Sequence, residues 1–133
     1  MSNVITAKAI ARGVQQTPRK VGLVASLVRG RTVADALVIL EHTPKRAAKP
    51  VAKVIASASA NAVNTFGAKE DTLVIDNLQV TSGPRLKRFR PIARGSANPY
   101  MKRTAHISVV VRGAEKPKKK PATKKAAPKK AKA

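Results

Sequence analysis

Cysteine is absent from the 133 residues, which excludes disulfides, thiolate metal sites and cysteine nucleophiles together. Aromatic side chains number three, Phe66, Phe89 and Tyr100, too few for a protein that reads single strands mainly by base stacking. Acidic residues are scarce, 6 against 28 Lys and Arg. Apolar runs are short: Leu37-Val38-Ile39-Leu40 and Val109-Val110-Val111 fall far below the roughly 18 residues of a membrane span. Residues 1–12 lack the apolar core of a signal peptide, so a soluble, cytoplasmic chain with no membrane partner is expected. No phosphate-cradling glycine loop and no acidic metal cluster is legible. Ser26, Ser57 and Ser59 fall on expected helices without a nearby base. His42 and His106 are far apart and lack companions for a metal site; His106 is expected to make an ordinary hydrogen bond at the start of a strand. The expectation is therefore no catalysis, no metal and no cofactor.

What is present is positive charge, net +22 at pH 7. A chain this basic repels itself unless a polyanion neutralises it. The composition breaks after Gly113. Residues 114–133 combine nine Lys with one acid, Ala and Pro, and hold no Leu, Ile, Val or aromatic residue. Such a segment buries too little apolar surface to offset its ordering entropy, so a disordered basic tail is expected. Residues 1–113, the expected globular domain, keep 19 basic and 5 acidic residues. Those acids, Asp35, Glu41, Glu70, Asp71 and Asp76, all lie mid-chain, and the acid-free stretches 1–34 and 77–113 are expected to face the polyanion.

The periodicity predicts an α+β domain: a small three-stranded antiparallel sheet packed with three helices, and one long protruding hairpin. Residues 3–12 alternate as a strand. Thr17-Pro18 opens a helix with Val21, Val24 and Val28 inward, beside Leu23 and Leu27, ending at Gly30. Thr32 caps a second helix with Val33, Leu37 and Leu40 buried, and Asp35 stands as a capping-box partner. Thr43-Pro44 is expected to start a third helix, restarted near Pro50, with Val51, Ile55, Ala58, Ala62 and Phe66 on its buried face and Gly67 at its end. Its Ala- and Ser-rich middle lets another element approach closely. Residues 73–82, with Val74, Leu78 and Val80 on one face, and residues 106–112, with Ile107, Val109 and Val111, read as strands. Residues 83–105 then form the outer part of the hairpin, its tip near 91–99.

That hairpin segment carries the sharpest signal. Residues 85–103 hold seven cations and no acid: Arg85, Lys87, Arg88, Arg90, Arg94, Lys102 and Arg103. Leu86, Phe89, Ile92, Tyr100 and Met101 interleave with them, a liability in free solvent. The pattern fits an RNA surface, where Arg grips phosphates and apolar groups lie on bases and sugars. In the body Lys8, Arg12, Arg19, Lys20, Arg29 and Arg31 are the matching RNA-binding candidates. Arg19 and Lys20 sit in the first turn of a helix, where the macrodipole disfavours cations unless a phosphate is near.

The segment leading through Lys102-Arg103-Thr104-Ala105-His106-Ile107-Ser108-Val109-Val110-Val111 resembles the signature of the large-subunit ribosomal protein family numbered twenty-two, in its bacterial form. Pro18-Arg19-Lys20-Val21, closed by Val28-Arg29-Gly30, is similar to that family's first helix, and residues 56–64 to its third. The likeness is colinear over about residues 4–112. It departs at Gly22, where the family often has Arg, at Ile92, usually Arg or His, and at Ser96, where Arg is common, so one or two cationic tip contacts are expected to be missing. The resemblance implies a structural constituent of the large ribosomal subunit that binds 23S rRNA and supports its folding and assembly. It implies a body on the outer surface beside neighbouring ribosomal proteins, and a hairpin whose tip lines the peptide exit tunnel and meets the nascent polypeptide. The tip residues would be Arg88, Phe89, Arg90, Pro91, Ile92, Ala93, Arg94 and Gly95. The alternative reading is a DNA-architectural protein with a histone-like tail.

Overall fold

Alanines at every second position of the first strand set the architecture. In the computed structural model, which describes residues 4–114, β1 (Val4–Val14) turns Ala7 and Ala9 inward and leaves Val4 and Ile10 outside. Against this strand lies the third helix, α3 (Ala48–Phe66), through its own small residues, with Ala58 and Ala62 buried. Two small-residue surfaces allow close approach, and the Asn61 Nδ2 donates to the Lys8 carbonyl across the seam at 3.3 Å.

The other helices are α1 (Pro18–Val28) and α2 (Val33–His42), and the remaining strands β2 (Val74–Pro91) and β3 (Ala97–Ala114). The sheet order is β1-β3-β2, antiparallel throughout. α1 and α3 cover one face of it and α2 packs against α3, giving the expected α+β fold. α1 buries Val21, Val24, Ala25 and Val28. The junction between α1 and α2 is stitched to the start of β2: the Gly30 amide donates to Ile75, the Ile75 amide to Arg31, and the Val33 amide to Leu73. α2 buries Val33, Ala36 and Leu40, with Leu37 only partly covered. Thr32 caps it by accepting from the Asp35 amide, and its hydroxyl donates to the Asp35 carboxylate at 2.7 Å.

Four expectations are corrected. Helix α3 starts at Ala48, not at Thr43-Pro44, because Thr43 closes α2 instead: its amide donates to Leu40 and its hydroxyl to the Ile39 carbonyl. Pro50 then falls in the first turn, where its missing amide hydrogen costs no helical bond. Phe66, expected in the core, is 48% exposed, since α3 ends there at left-handed Gly67. Val74 is also exposed. A bulge between Ile75 and Asn77 breaks the two-residue period, so Ile75 and Leu78 share the buried face. Finally, the hairpin tip expected near 91–99 narrows, since pairing runs to Pro91↔Ala97, and β3 takes in Ala114, which composition assigns to the tail. Ala114 is held by pairing with Val4 and by accepting from the Lys69 amide. The Lys-rich stretch 115–133 lies outside the described residues.

Candidate nucleic-acid interface

Beyond the helices β2 and β3 continue as a two-stranded ribbon, paired from Arg85↔Arg103 to Pro91↔Ala97, and every residue from Pro84 to Arg103 is exposed. The junction between ribbon and body is built from a second bulge, between Ser82 and Arg85. There Thr104, 4% exposed, donates its hydroxyl to the Pro84 carbonyl at 2.7 Å. A Cβ on Gly83 would stand 2.5 Å from that hydroxyl oxygen, so only glycine fits.

Register sorts the ribbon side chains into two faces. One holds Arg85, Lys87 and Phe89 opposite Arg103, Met101 and Pro99; the other holds Leu86, Arg88 and Arg90 opposite Lys102, Tyr100 and Asn98. Each face mixes cations with apolar groups. The Arg90 guanidinium lies 5.0 Å from the Tyr100 ring centroid, a cation–π pair. Arg85 directly opposite Arg103 is a like-charge pair, unfavourable in an isolated sheet and relieved by a bound polyanion. At the tip Ile92 and Ser96 close the loop by a 2.8 Å backbone bond, with Arg94 at φ 59 and Gly95 at φ 74. Arg94 is the one left-handed residue other than glycine among the described residues, a conformation costing roughly 1 kcal/mol or more.

The body candidates divide. Lys8 projects from the sheet face that no helix covers, where Arg112 stands 3.9 Å from the Asp76 carboxylate, and Arg12 is exposed at the break in the β1 register. Arg19 and Lys20 are exposed in the first turn of α1, where Thr17 makes no side-chain cap. Arg29 and Arg31 are partly spent on the fold: Arg29 Nε donates to the Leu78 carbonyl at 3.0 Å and Arg31 Nε to Leu27 at 2.9 Å. The sheet therefore gathers the acid-free stretches 4–14 and 77–114, while Asp35, Glu70, Asp71 and Asp76 sit around the α2 start and the β2 start, the end away from the ribbon, and Glu41 alone stands at the α2 end.

Sequence reasoning missed Lys45, Arg46, Lys49 and Lys53, which line a groove between α2 and α3. Lys49 and Lys53 stand four apart, the spacing of one helix face, and Lys45 lies in the loop before α3. His106 keeps to structure, its Nδ1 accepting from the Gly13 amide at 2.9 Å. Among the described residues no three His, Asp or Glu side chains gather as a metal site, and no helix is long and apolar enough to cross a membrane. In comparison with known families, the model for ribosomal protein L22p/L17e matches residues 9–112, from the middle of β1 almost to the end of β3.

Proposed function

This chain belongs to the ribosomal protein L22p/L17e family, structural rRNA-binding proteins of the large subunit, and on that premise we propose that its ribbon is the part that reaches into the ribosomal RNA. The body stays at the surface, against rRNA and neighbouring ribosomal proteins, and supports the folding and assembly of the RNA around it. The tip, residues 88–95, forms part of the exit-tunnel wall and meets the nascent polypeptide.

One observation carries this reading. The ribbon is an exposed, acid-free extension with seven cations, and none of its interleaved apolar side chains is buried. Six steps of a strand beyond Arg85 span roughly 20 Å at about 3.3 Å per residue, enough to carry the tip well away from the helices. Lys87, Arg88, Arg90, Lys102 and Arg103 bind phosphates along the shaft, and Arg94 points from the turn. Lys8, Arg12, Arg19 and Lys20 serve the body. At the positions that depart from the family pattern, nothing lies within 4 Å of a Cβ built on Gly22, and Ile92 is exposed; packing does not forbid a cation at either.

The test is reconstitution of large subunits with a shortened ribbon lacking residues 86–88 and their partners 100–102. Subunits that assemble are expected to show altered arrest by stalling peptides and altered response to tunnel-binding macrolides. Unchanged behaviour on both counts in assembled subunits would remove the tip from the tunnel.

A further inference from the structure

A second groove, of about 810 Å³, opens between α1, the loop joining α2 to α3, and the base of the ribbon. Its apolar lining is unusual. Leu23 is 73% exposed, Leu27 49% and Met101 51%, although Leu23 and Leu27 belong to an otherwise amphipathic helix. Neighbouring exposed apolar side chains on a soluble protein mark a surface that is covered in use. Every charged residue of its lining is a cation: Lys20, Lys45, Arg46, Lys102 and Arg103 line the groove, and no acid does. The groove beside α2 differs on this point, since Glu41 lines it.

We propose that this groove receives an unpaired nucleobase of the bound RNA, ring against Leu23, Leu27 and Met101, flanking phosphates on the rim. The proposal rests on the RNA-binding reading above and adds a subsite to it. Three apolar side chains offer a platform for one planar ring, whereas an amphipathic helix of a protein partner needs a stripe of anchors over two turns. Met adapts its shape to whatever it covers. Gln15 and Gln16 stand at the edge, and each amide offers both donor and acceptor to a base edge. Lys102 and Arg103 belong to the ribbon and the rim alike, so a strand whose phosphates follow the ribbon passes directly over the groove. The rim cations hold the backbone, and the apolar floor supplies base-dependent affinity without aromatic rings.

The experiment uses the full chain and two single-stranded decamers of equal charge, an oligouridylate with one central 4-thiouridine and an abasic ribose-phosphate chain. The base-bearing strand is expected to bind about fivefold to tenfold more tightly, the low end of base-stacking effects because the floor is aliphatic. Photocross-links should fall on residues 23–27 and 101. The double variant Leu23→Gln with Leu27→Gln keeps helix-forming residues and net charge; it should lose the preference while binding the abasic strand within about twofold of wild type, as phosphate contacts predict. Met101→Gln, outside any helix, should weaken the preference in the same direction, which covers a folding defect in the double variant. Equal affinities for the two strands, with salt-sensitive binding retained, would overturn the base site and leave RNA binding standing. No binding to either strand at low salt would bring down the RNA reading itself. A preference that survives in both variants would put the base elsewhere. Tighter binding of an acidic amphipathic peptide than of the oligouridylate, abolished by the same variants, would reassign the groove to a protein partner.

Discussion

Gly83 and Thr104 meet where the sheet leaves the helices. Replacing Gly83 by Ala puts a methyl group 2.5 Å from the Thr104 hydroxyl oxygen, and overpacking of this kind costs roughly 1–3 kcal/mol. Urea unfolding is expected to show that loss, with a smaller loss when Thr104→Ala is already present, because the two residues share one contact. The cations also differ residue by residue. Arg29→Ala removes a part-buried bond to the Leu78 carbonyl and is expected to lower stability by about 1 kcal/mol. Arg88 hydrogen-bonds to its neighbour's carbonyl and is exposed on the ribbon; Arg88→Ala should leave the denaturation midpoint unchanged and weaken RNA binding. Equal midpoint shifts in the two variants would show that guanidinium anchoring to β2 has been overstated.

At the scale of elements the ribbon is the least self-sufficient part. An isolated two-stranded hairpin is marginal in water, and this one places arginines opposite each other at its base. None of the buried core residues lies between Arg85 and Arg103. Removing Leu86–Arg88 together with Tyr100–Lys102 keeps the strands in register and should move the melting temperature by no more than about 3 °C, followed by circular dichroism. Removing Leu86–Arg88 alone takes three residues from one strand only. That mismatch separates the cross-strand partners from Phe89↔Pro99 to Pro91↔Ala97 and should impair function more than the balanced deletion, which turns the tip over but keeps its partners together. A large melting shift from the balanced deletion would mean the ribbon supports the body. The existence of this hairpin was legible from composition and turn residues. The length of its paired strands was not, because Pro91 and Pro99 read as turn residues, whereas both lie within the strands, where a two-stranded ribbon tolerates proline on its open edges.

At the scale of the molecule the charge is polarised, and that fixes the expected mode of binding. Affinity for a large-subunit RNA fragment should fall steeply with salt, with a slope of log K against log salt of roughly −0.7 to −0.9 for each phosphate neutralised. Truncation after Ala114 removes nine Lys and one Glu and leaves β3 complete. It should flatten that slope and weaken binding without moving the RNA footprint. Cutting one residue earlier would take Ala114 from its pairing with Val4 and Lys69, so the two truncations are expected to differ in stability. Filter binding across about 50–200 mM salt, with footprinting, reads the charge effects.

The amino-acid sequence by itself determined the α+β class, the three helices, the hairpin, the acid-free stretches and the family signature, because these rest on local periodicity, turn residues and composition. Val21, Val24, Val28, Ile107, Val109 and Val111 face inward as their spacing requires. Only the tertiary structure decided what depends on a partner distant in the chain. A bulge opposite β3 moved Val74 to the surface and Ile75 into the core. The Thr43 hydroxyl served α2 rather than starting α3. Leu23 and Leu27, apolar at helical spacing, stayed exposed because no element packs over that side of α1. Met101 and Lys102 come from the far end of the sequence to meet them, and a groove assembled from three separate segments leaves no trace in the periodicity of any one.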